Sequence, residues 1–249
     1  MKNKSILSIC SAALLAGLCP PLYAAETPAQ QAAKTEVWEP EPKIVTAPED
    51  APPSDAILLF AGTDLQQWES VNGGPVNWTV QNGVLTVKPG SGDIKTKAGF
   101  CDIQLHLEWQ VPQPSEEMDG QQQNNSGVFL QQRYEIQILD SYQNRTYSNG
   151  QAGALYKQAI PLVNAMRAPG QWQTYDILFT APRFDGKKLQ SPGYITVLHN
   201  GVVVQHHTKI QGKTEWIGPP SYEAHGCAPL QLQDHGNKVS FRNIWVREL

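Results

Sequence analysis

The chain has 249 residues, of which 40% are hydrophobic and 17% are charged, and its formal net charge at pH 7 is -4. With 20 Gly and 19 Pro, the composition is typical of one globular domain with many turns, and it argues against a membrane protein or a disordered chain. The negative net charge gives no basic face for nucleic acid. The expected partner is a neutral or weakly polar small molecule.

The first 24 residues resemble a secretory signal sequence. Two lysines precede an apolar run at 6–18, and small residues follow, so cleavage is expected near Ala24 or Ala25. The apolar run is too short to span a membrane. Leu18 precedes Cys19, where a lipoprotein signal needs a small residue. We therefore expect an exported protein, periplasmic or secreted, with no membrane span.

Two cysteines, Cys101 and Cys227, remain after export. An oxidising compartment would preserve a disulfide between them, and the alternative is a pair of buried thiols that pack as small apolar side chains. The sequence does not place their Cα atoms, so both alternatives stay open.

Residues 25–55 are rich in Ala, Pro, Glu and Gln and show almost no apolar periodicity. This composition predicts an extended tether or a flexible arm. The folded domain is expected to begin near Ala56, and residues 56–249 are enough for one sizeable two-layer core.

The pattern of that domain has a period of two residues. In the segment 102–111 the apolar side chains alternate with polar ones, which predicts a half-buried strand of an antiparallel sheet. The pairs Asn82-Gly83 and Asn200-Gly201 lie between apolar runs and predict type I′ hairpins. Many strands and few helices predict an all-β fold, an antiparallel β-sandwich or jelly roll.

The segment 134–140, YEIQILD, carries two acids in a stretch otherwise suited to a buried strand. Strand parity places Glu135 and Gln137 on one face, and Asp140 joins them only if a bulge intervenes. Without a bulge, Asp140 would cap the following turn, and Glu135 would be either a groove residue or a surface acid. Glycosidases that cut β-glucans on a jelly-roll groove have a third acid where Gln137 stands, which argues against a retaining carboxylate pair.

A second polar row lies in the segment 230–236, LQLQDHG. Gln231, Gln233 and His235 share the face opposite the leucines, and Arg242 follows in VSFRNIWV. A lone His is more often structural than catalytic. On a polar strand face with an Arg nearby, however, His235 is a candidate for acid/base or electrophilic work.

Several motifs together resemble a known family, the bacterial 3-keto-disaccharide hydrolase domain family. The segments that carry the resemblance, GALYKQ among them, occur in the family's order and cover about residues 56–249; the most specific are NSGVFLQ with YEIQILD and LQDHG with FRNI. The resemblance implies a concanavalin-like jelly roll that cleaves glycosides whose C3 hydroxyl has been oxidised to a ketone.

The chemistry of such a substrate needs few protein groups. A C3 ketone acidifies the C2 proton, so one base can start elimination of the C1 substituent, after which water adds. We expect Glu135 or His235 to be the base, with Arg242 and Gln137 as polar contacts to the ketone or enolate. The other groove residues expected to bind substrate are Asn125, Ser126, Asp140, Lys157 and Gln233.

No cofactor is required by the sequence, although a divalent metal could act as the electrophile. Its available ligands would be Glu135, Asp140 and His235, but no spacing of ligands demands a metal.

Two other functions stay open. A carbohydrate-binding module would use aromatic platforms on the same fold, and the candidates for them are Trp172, Trp216, Tyr142 and Tyr147. An ordinary glycoside hydrolase would act on unoxidised β-glucan, and Gln137 argues against it.

Overall fold

The computed structural model describes residues 25–114 and 118–249, and the predicted signal sequence lies outside them. The chain divides into a unit that ends at Ile44 and a second unit, Val45–Leu249. No helix among the described residues is long and apolar enough to cross a membrane.

The described part of the first unit contains one short helix, α1 (Pro28–Ala33). The sequence pattern predicts only an extended or flexible arm here. The helix begins at a capping box: the Thr27 side chain accepts the backbone N–H of Gln30, and the Gln30 side chain accepts the backbone N–H of Thr27. The cap and the Pro at the first helical position account for a helix without any apolar face.

The described residues of the second unit form two short 3-10 turns, Gly120–Gln122 and Ser148–Gly150, and their other regular elements are strands. In chain order the described strands are β1 (Ile57–Phe60), β2 (Trp68–Ser70), β3 (Thr79–Gln81), β4 (Val84–Thr86), β5 (Ile94–Phe100), β6 (Ile103–Gln110), β7 (Ser126–Leu130), β8 (Tyr134–Ile138), β9 (Gln173–Thr180), β10 (Arg183–Asp185), β11 (Lys188–Ser191), β12 (Tyr194–His199), β13 (Val202–Lys209), β14 (Ala228–Leu232) and β15 (Ser240–Glu248).

These strands form two sheets and a separate hairpin, and every pairing is antiparallel. The larger sheet has eight strands in the order β13-β12-β9-β6-β15-β4-β3, with β1 also paired to β15. The smaller sheet has the order β2-β5-β14-β7-β8, and β10 pairs with β11. The predicted all-β antiparallel sandwich, of the jelly-roll class, is confirmed.

The local predictions within the sheets are also confirmed. Asn82 and Gly83 join β3 to β4 with positive φ angles of 52° and 79°, and Asn200 and Gly201 join β12 to β13 with 54° and 78°. Positive φ at both central residues is the requirement of a type I′ turn. Strand β6 alternates buried and half-buried residues over its whole length, as the period of two predicts.

The inner faces of both sheets contribute to one hydrophobic core. Val128, Ile136 and Leu232 of the smaller sheet and Leu105 and Phe241 of the larger sheet all belong to it. Because successive side chains of a strand point to opposite faces, the residues between them in β7, β8 and β14 lie on the outer face of the smaller sheet.

Cys101 and Cys227 form a disulfide, with their Cα atoms 4.7 Å apart. The bond joins the end of β5 to the start of β14, next to the backbone pair of Phe100 and Ala228. The alternative of two buried thiols is therefore excluded.

Candidate active site

A cavity of about 420 Å³ opens on the outer face of the smaller sheet. The sheet contributes Phe129 from β7 and Glu135 and Gln137 from β8, and the chain beyond β14 adds two more residues. Loops supply the rest of the lining, so that the complete set is Gln121, Gln122, Asn125, Phe129, Glu135, Gln137, Tyr147, Tyr156, Thr214, Trp216, Gln233 and His235.

The register of β7 and β8 explains which side chains reach the cavity. Glu135 pairs with Phe129 and Gln137 pairs with Gly127, without any register shift along the two strands. The alternate residues of β8, Tyr134 and Ile136, are buried in the core. The predicted common face of Glu135 and Gln137 is therefore present as the sequence indicated.

Glu135 is nearly enclosed, with only 4% of its surface exposed. Its carboxyl lies over Gly127, because a Cβ atom on that glycine would come within 2.6 Å of Glu135 Oε1. The backbone of Glu135 is held from both sides: its N–H donates to Thr214 Oγ1 (3.0 Å), and its carbonyl accepts the N–H of Tyr156 (3.0 Å). Two loop residues that line the cavity are thus tied directly to the acid.

Burial raises the pKa of Glu135 to about 8, and the nearby charge of Asp93 acts in the same direction. The carboxyl therefore carries a proton at neutral pH and becomes ionised at mildly alkaline pH. An ionised carboxylate with so high a pKa is a much stronger base than an ordinary surface glutamate.

The deep part of the cavity also holds two amide oxygens without partners. Gln137 Oε1 and Gln233 Oε1 are buried and accept no hydrogen bond from any described residue. The amide nitrogen of Gln137 donates to Gln121 Oε1 and Asn125 Oδ1, both at 3.3 Å. The Gln137 and Gln233 side chains therefore give this wall of the cavity a polar character.

The rim of the cavity is aromatic. The hydroxyls of Tyr147 and Tyr156 hydrogen-bond to each other at 2.6 Å, and the Lys157 ammonium lies 5.9 Å from the centre of the Tyr147 ring. Lys157 Nζ also donates to the backbone carbonyl of Trp216 (2.8 Å). Lys157 is therefore an exposed rim residue that supports two lining residues and does not itself line the cavity.

Of the other residues predicted to act at the site, the structure brings some to the cavity and leaves others outside it. Asn125 lines the cavity, and so does His235, which lies exposed in a bend beyond the end of β14. Ser126 is fully buried and does not line the cavity; its hydroxyl donates to the carbonyl of Gln233 (2.8 Å) and so supports the second polar row from behind.

Asp140 lies outside the cavity. Strand β8 ends at Ile138 and has no bulge, so the geometry that would bring Asp140 to the groove face does not occur. The carboxylate accepts the N–H of Tyr142 (3.1 Å) and the side-chain amide of Gln123 (2.9 Å). Of the two alternatives, the turn-capping one is the one the structure adopts.

Arg242 is not brought together with Glu135 or His235. It lies on β15 in the larger sheet, where its Nε donates to Glu108 Oε2 (2.6 Å) and its guanidinium lies 4.1 Å from the centre of the Trp172 ring. Arg242 is close to His235 in sequence but distant in the fold, because the chain passes from one sheet to the other between β14 and β15. The structure therefore does not bring Arg242 to the cavity that Glu135 lines.

The three side chains considered as metal ligands, those of Glu135, Asp140 and His235, do not come together in the structure. Within the described residues there is no group of three or more His, Cys, Asp and Glu side chains that could hold a metal ion. Glu135 and His235 line the same cavity, whereas Asp140 is engaged in its turn.

Several residues that line the cavity were not predicted from the alternation of side chains along the strands. Gln121, Gln122, Tyr156 and Thr214 come from segments outside the strands, where no period of two residues marks them. Of the aromatic residues considered as platforms, Tyr147 and Trp216 line the cavity, while Trp172 packs beneath Arg242.

Comparison with known proteins identifies the family. A family model described as the 3-keto-alpha-glucoside-1,2-lyase-like domain matches residues 55–247. The chain belongs to this family. The match covers almost the whole of the second unit, and it agrees with the resemblance carried by the motifs around Glu135 and His235.

Solved structures of similar proteins include members from Parabacteroides distasonis. One, described as a "putative glycosyl hydrolase", is 50% identical, with a TM-score of 0.85, and the match covers 93% of this chain and 100% of that one. A second with the same description is 23% identical, with a TM-score of 0.60 over 78% of this chain and 94% of that one, and it supports the fold alone. No curated protein matches the chain.

Proposed function

We propose that this 3-keto-alpha-glucoside-1,2-lyase-like domain cleaves the glycosidic bond of glycosides that carry a ketone at C3, with Glu135 as the general base. One observation carries the proposal. Among the described residues that line the cavity, Glu135 is the only carboxyl group, and it is nearly enclosed with a strongly raised pKa. Such a site suits the removal of one activated proton.

The reaction is balanced with a single base. Glu135 takes the C2 proton, and the electrons of the C2–H bond form an enolate with the C3 carbonyl. When the ketone re-forms, a C1–C2 double bond is made and the C1–O bond breaks, so the aglycone leaves with the electron pair and takes up a proton. Water then adds at C1, and a proton returns to C2. The net change is hydrolysis.

The remaining cavity residues have roles that follow from their geometry. Gln137 and Gln233 line the cavity, and their amide groups would bind the ring hydroxyls of a sugar. The side-chain amide nitrogens and His235 are the available donors for the developing enolate oxygen, a task for which Arg242 is not positioned. His235 is also the available group to protonate the leaving oxygen.

An ordinary glycosidase is less well supported, because it needs a second carboxyl about 5 to 9.5 Å from the first. The neighbouring acid is Asp93, which does not line the cavity. Its two oxygens accept hydrogen bonds from the backbone of Asp234 (2.8 Å) and the side chain of Gln231 (2.6 Å). Asp93 is therefore engaged in the sheet and is poorly placed to attack a sugar carbon.

The decisive experiment compares a matched pair of glucosides, one with a C3 ketone and one without. We expect turnover of the ketone only. Glu135→Gln and His235→Ala should each lower kcat/KM by about a hundredfold or more, whereas Arg242→Ala should stay within about threefold of wild type because Arg242 lies in the other sheet. Release of reducing sugar from the unoxidised glucoside would contradict the proposal, and binding of both without turnover would favour a carbohydrate-binding module.

We also propose that the protein is exported. The disulfide between Cys101 and Cys227 is of the kind that persists in an oxidising compartment. The N-terminus of the protein recovered from its native cells should begin near Ala25. A full-length N-terminus recovered from the cytoplasm would contradict this.

A further inference from the structure

The two ends of the cavity differ in chemistry. One end holds the Glu135 carboxyl and the polar side chains of Gln137 and Gln233. The rim holds Trp216 and Tyr147, whose surfaces are 72% and 41% exposed. Ile217, beside Trp216, is 77% exposed. A ligand that fills the cavity therefore needs a polar end and an apolar end.

The polar atoms at the rim already pair with one another. The Tyr147 hydroxyl is bonded to Tyr156, and the Lys157 ammonium donates to the carbonyl of Trp216. The exposed rings of Trp216 and Tyr147 add apolar surface at the rim, which suits a flat apolar partner.

The loop that carries Trp216 is held in place from several sides. Thr214 donates its N–H to the carbonyl of Arg133 (2.8 Å) and accepts the N–H of Glu135 (3.0 Å), and the base of the loop is closed by the N–H of Lys213 on the carbonyl of Ser221 (2.9 Å). The indole is thus presented by a backbone that is tied to the strand of Glu135. A platform positioned in advance loses little entropy when it binds a rigid ring.

We propose that this rim binds the aglycone, and that the substrates are aryl 3-keto-glycosides, whose leaving group is a phenol that stacks on Trp216 and Tyr147. The inference rests on the proposed function and names the substrate class of the same site. An aryl aglycone also suits the elimination step. A phenol has a pKa of about 10, as a tyrosine does, so it leaves as phenolate with little help from an acid. The one carboxyl that the described residues bring to the cavity is then sufficient.

The test uses three 3-keto-glucosides of the same anomeric configuration, with phenyl, methyl and glucosyl aglycones. Trp216→Ala should raise KM for the phenyl compound about five- to tenfold, the loss expected for one aromatic stacking contact, and change KM for the methyl compound less than twofold. The matched control is Trp38→Ala, which removes a tryptophan that is 80% exposed and does not line the cavity. Equal effects of Trp216→Ala on all three substrates, or its largest effect on the glucosyl compound, would overturn the inference.

A binding measurement keeps the two proposals separate. Calorimetric titration of wild type and Trp216→Ala with unoxidised phenyl and methyl glucosides needs no turnover. We expect the phenyl compound to bind more tightly to wild type and to lose that advantage in the variant. Tight phenyl binding without turnover of any 3-keto-glucoside would sink the proposed function and leave the aryl platform standing; turnover without any phenyl preference would do the reverse.

Discussion

The carboxyl of Glu135 occupies the space that a side chain at position 127 would need. A Cβ atom on Gly127 would lie 2.6 Å from Glu135 Oε1 and 3.1 Å from Glu135 Cγ. The two residues are neighbours across β7 and β8, since Gly127 pairs with Gln137 and Phe129 pairs with Glu135. The absence of a side chain at 127 therefore determines where the acid can lie.

Gly127→Ala should displace the Glu135 carboxyl and lower kcat/KM on a 3-keto-glucoside by at least about tenfold, because misplacing a reacting group by 1 Å can cost about a hundredfold. Gly226→Ala is the matched control, since a Cβ atom there would meet nothing within 4 Å. Steady-state kinetics of both variants, with circular dichroism to check folding, decide the matter. An unchanged rate in Gly127→Ala would show that the position of the carboxyl is not critical.

The pH dependence of turnover should follow the ionisation of Glu135. Its pKa is raised by burial to about 8, and only the ionised form can accept the C2 proton. In the free enzyme kcat/KM should therefore rise about tenfold per pH unit up to about pH 8 and level off above it. A profile that is flat between pH 6 and 8 would remove Glu135 from the role of base.

The same carboxyl should lower the stability of the fold at neutral pH. Its folded pKa lies above the ordinary value of 4.5, so its contribution is fully favourable below pH 4.5 and is lost progressively as the pH rises to about 8. Glu135→Gln should therefore raise the free energy of unfolding by about 2–3 kcal/mol at pH 7 and by almost nothing at pH 4. Urea titrations at the two pH values measure this; an equal effect at both would contradict the raised pKa.

Asp140 should matter for stability. Its carboxylate is fully buried and accepts two hydrogen bonds, from Tyr142 and Gln123. Asp140→Ala should lower the free energy of unfolding by about 2–3 kcal/mol, since both donors lose a charged acceptor. Asp185→Ala, at an exposed position of the β10–β11 hairpin, should change it by less than about 0.5 kcal/mol. A wild-type unfolding curve for Asp140→Ala would show that the turn does not depend on its acid.

The disulfide should contribute substantially to the free energy of unfolding, because it closes a segment of 126 residues. Replacing both Cys101 and Cys227 by Ser should lower the free energy of unfolding by about 2–5 kcal/mol. Wild type in the presence of a reductant should then unfold at the same denaturant concentration as the double variant. If reductant leaves wild type unchanged, the bond contributes little.

The sequence by itself determined the local features of this protein. Alternation in 102–111 and the two Asn-Gly pairs gave the strands and hairpins that the structure contains, because strand period and turn type depend on a few adjacent backbone angles. The common face of Glu135 and Gln137 followed from the same period. The motifs also indicated the family before any geometry was known.

Only the tertiary structure decided which of these residues meet. Arg242 follows His235 closely in sequence but lies in the other sheet, and Asp140 turns away because β8 ends at Ile138 without a bulge. Thr214 reaches the backbone of Glu135 from 79 residues away, with no periodic signal in its loop. Strand order and loop paths depend on how the two sheets pack, which local backbone preferences do not encode. The cavity, the position of Glu135 in it and its aromatic rim are products of that packing.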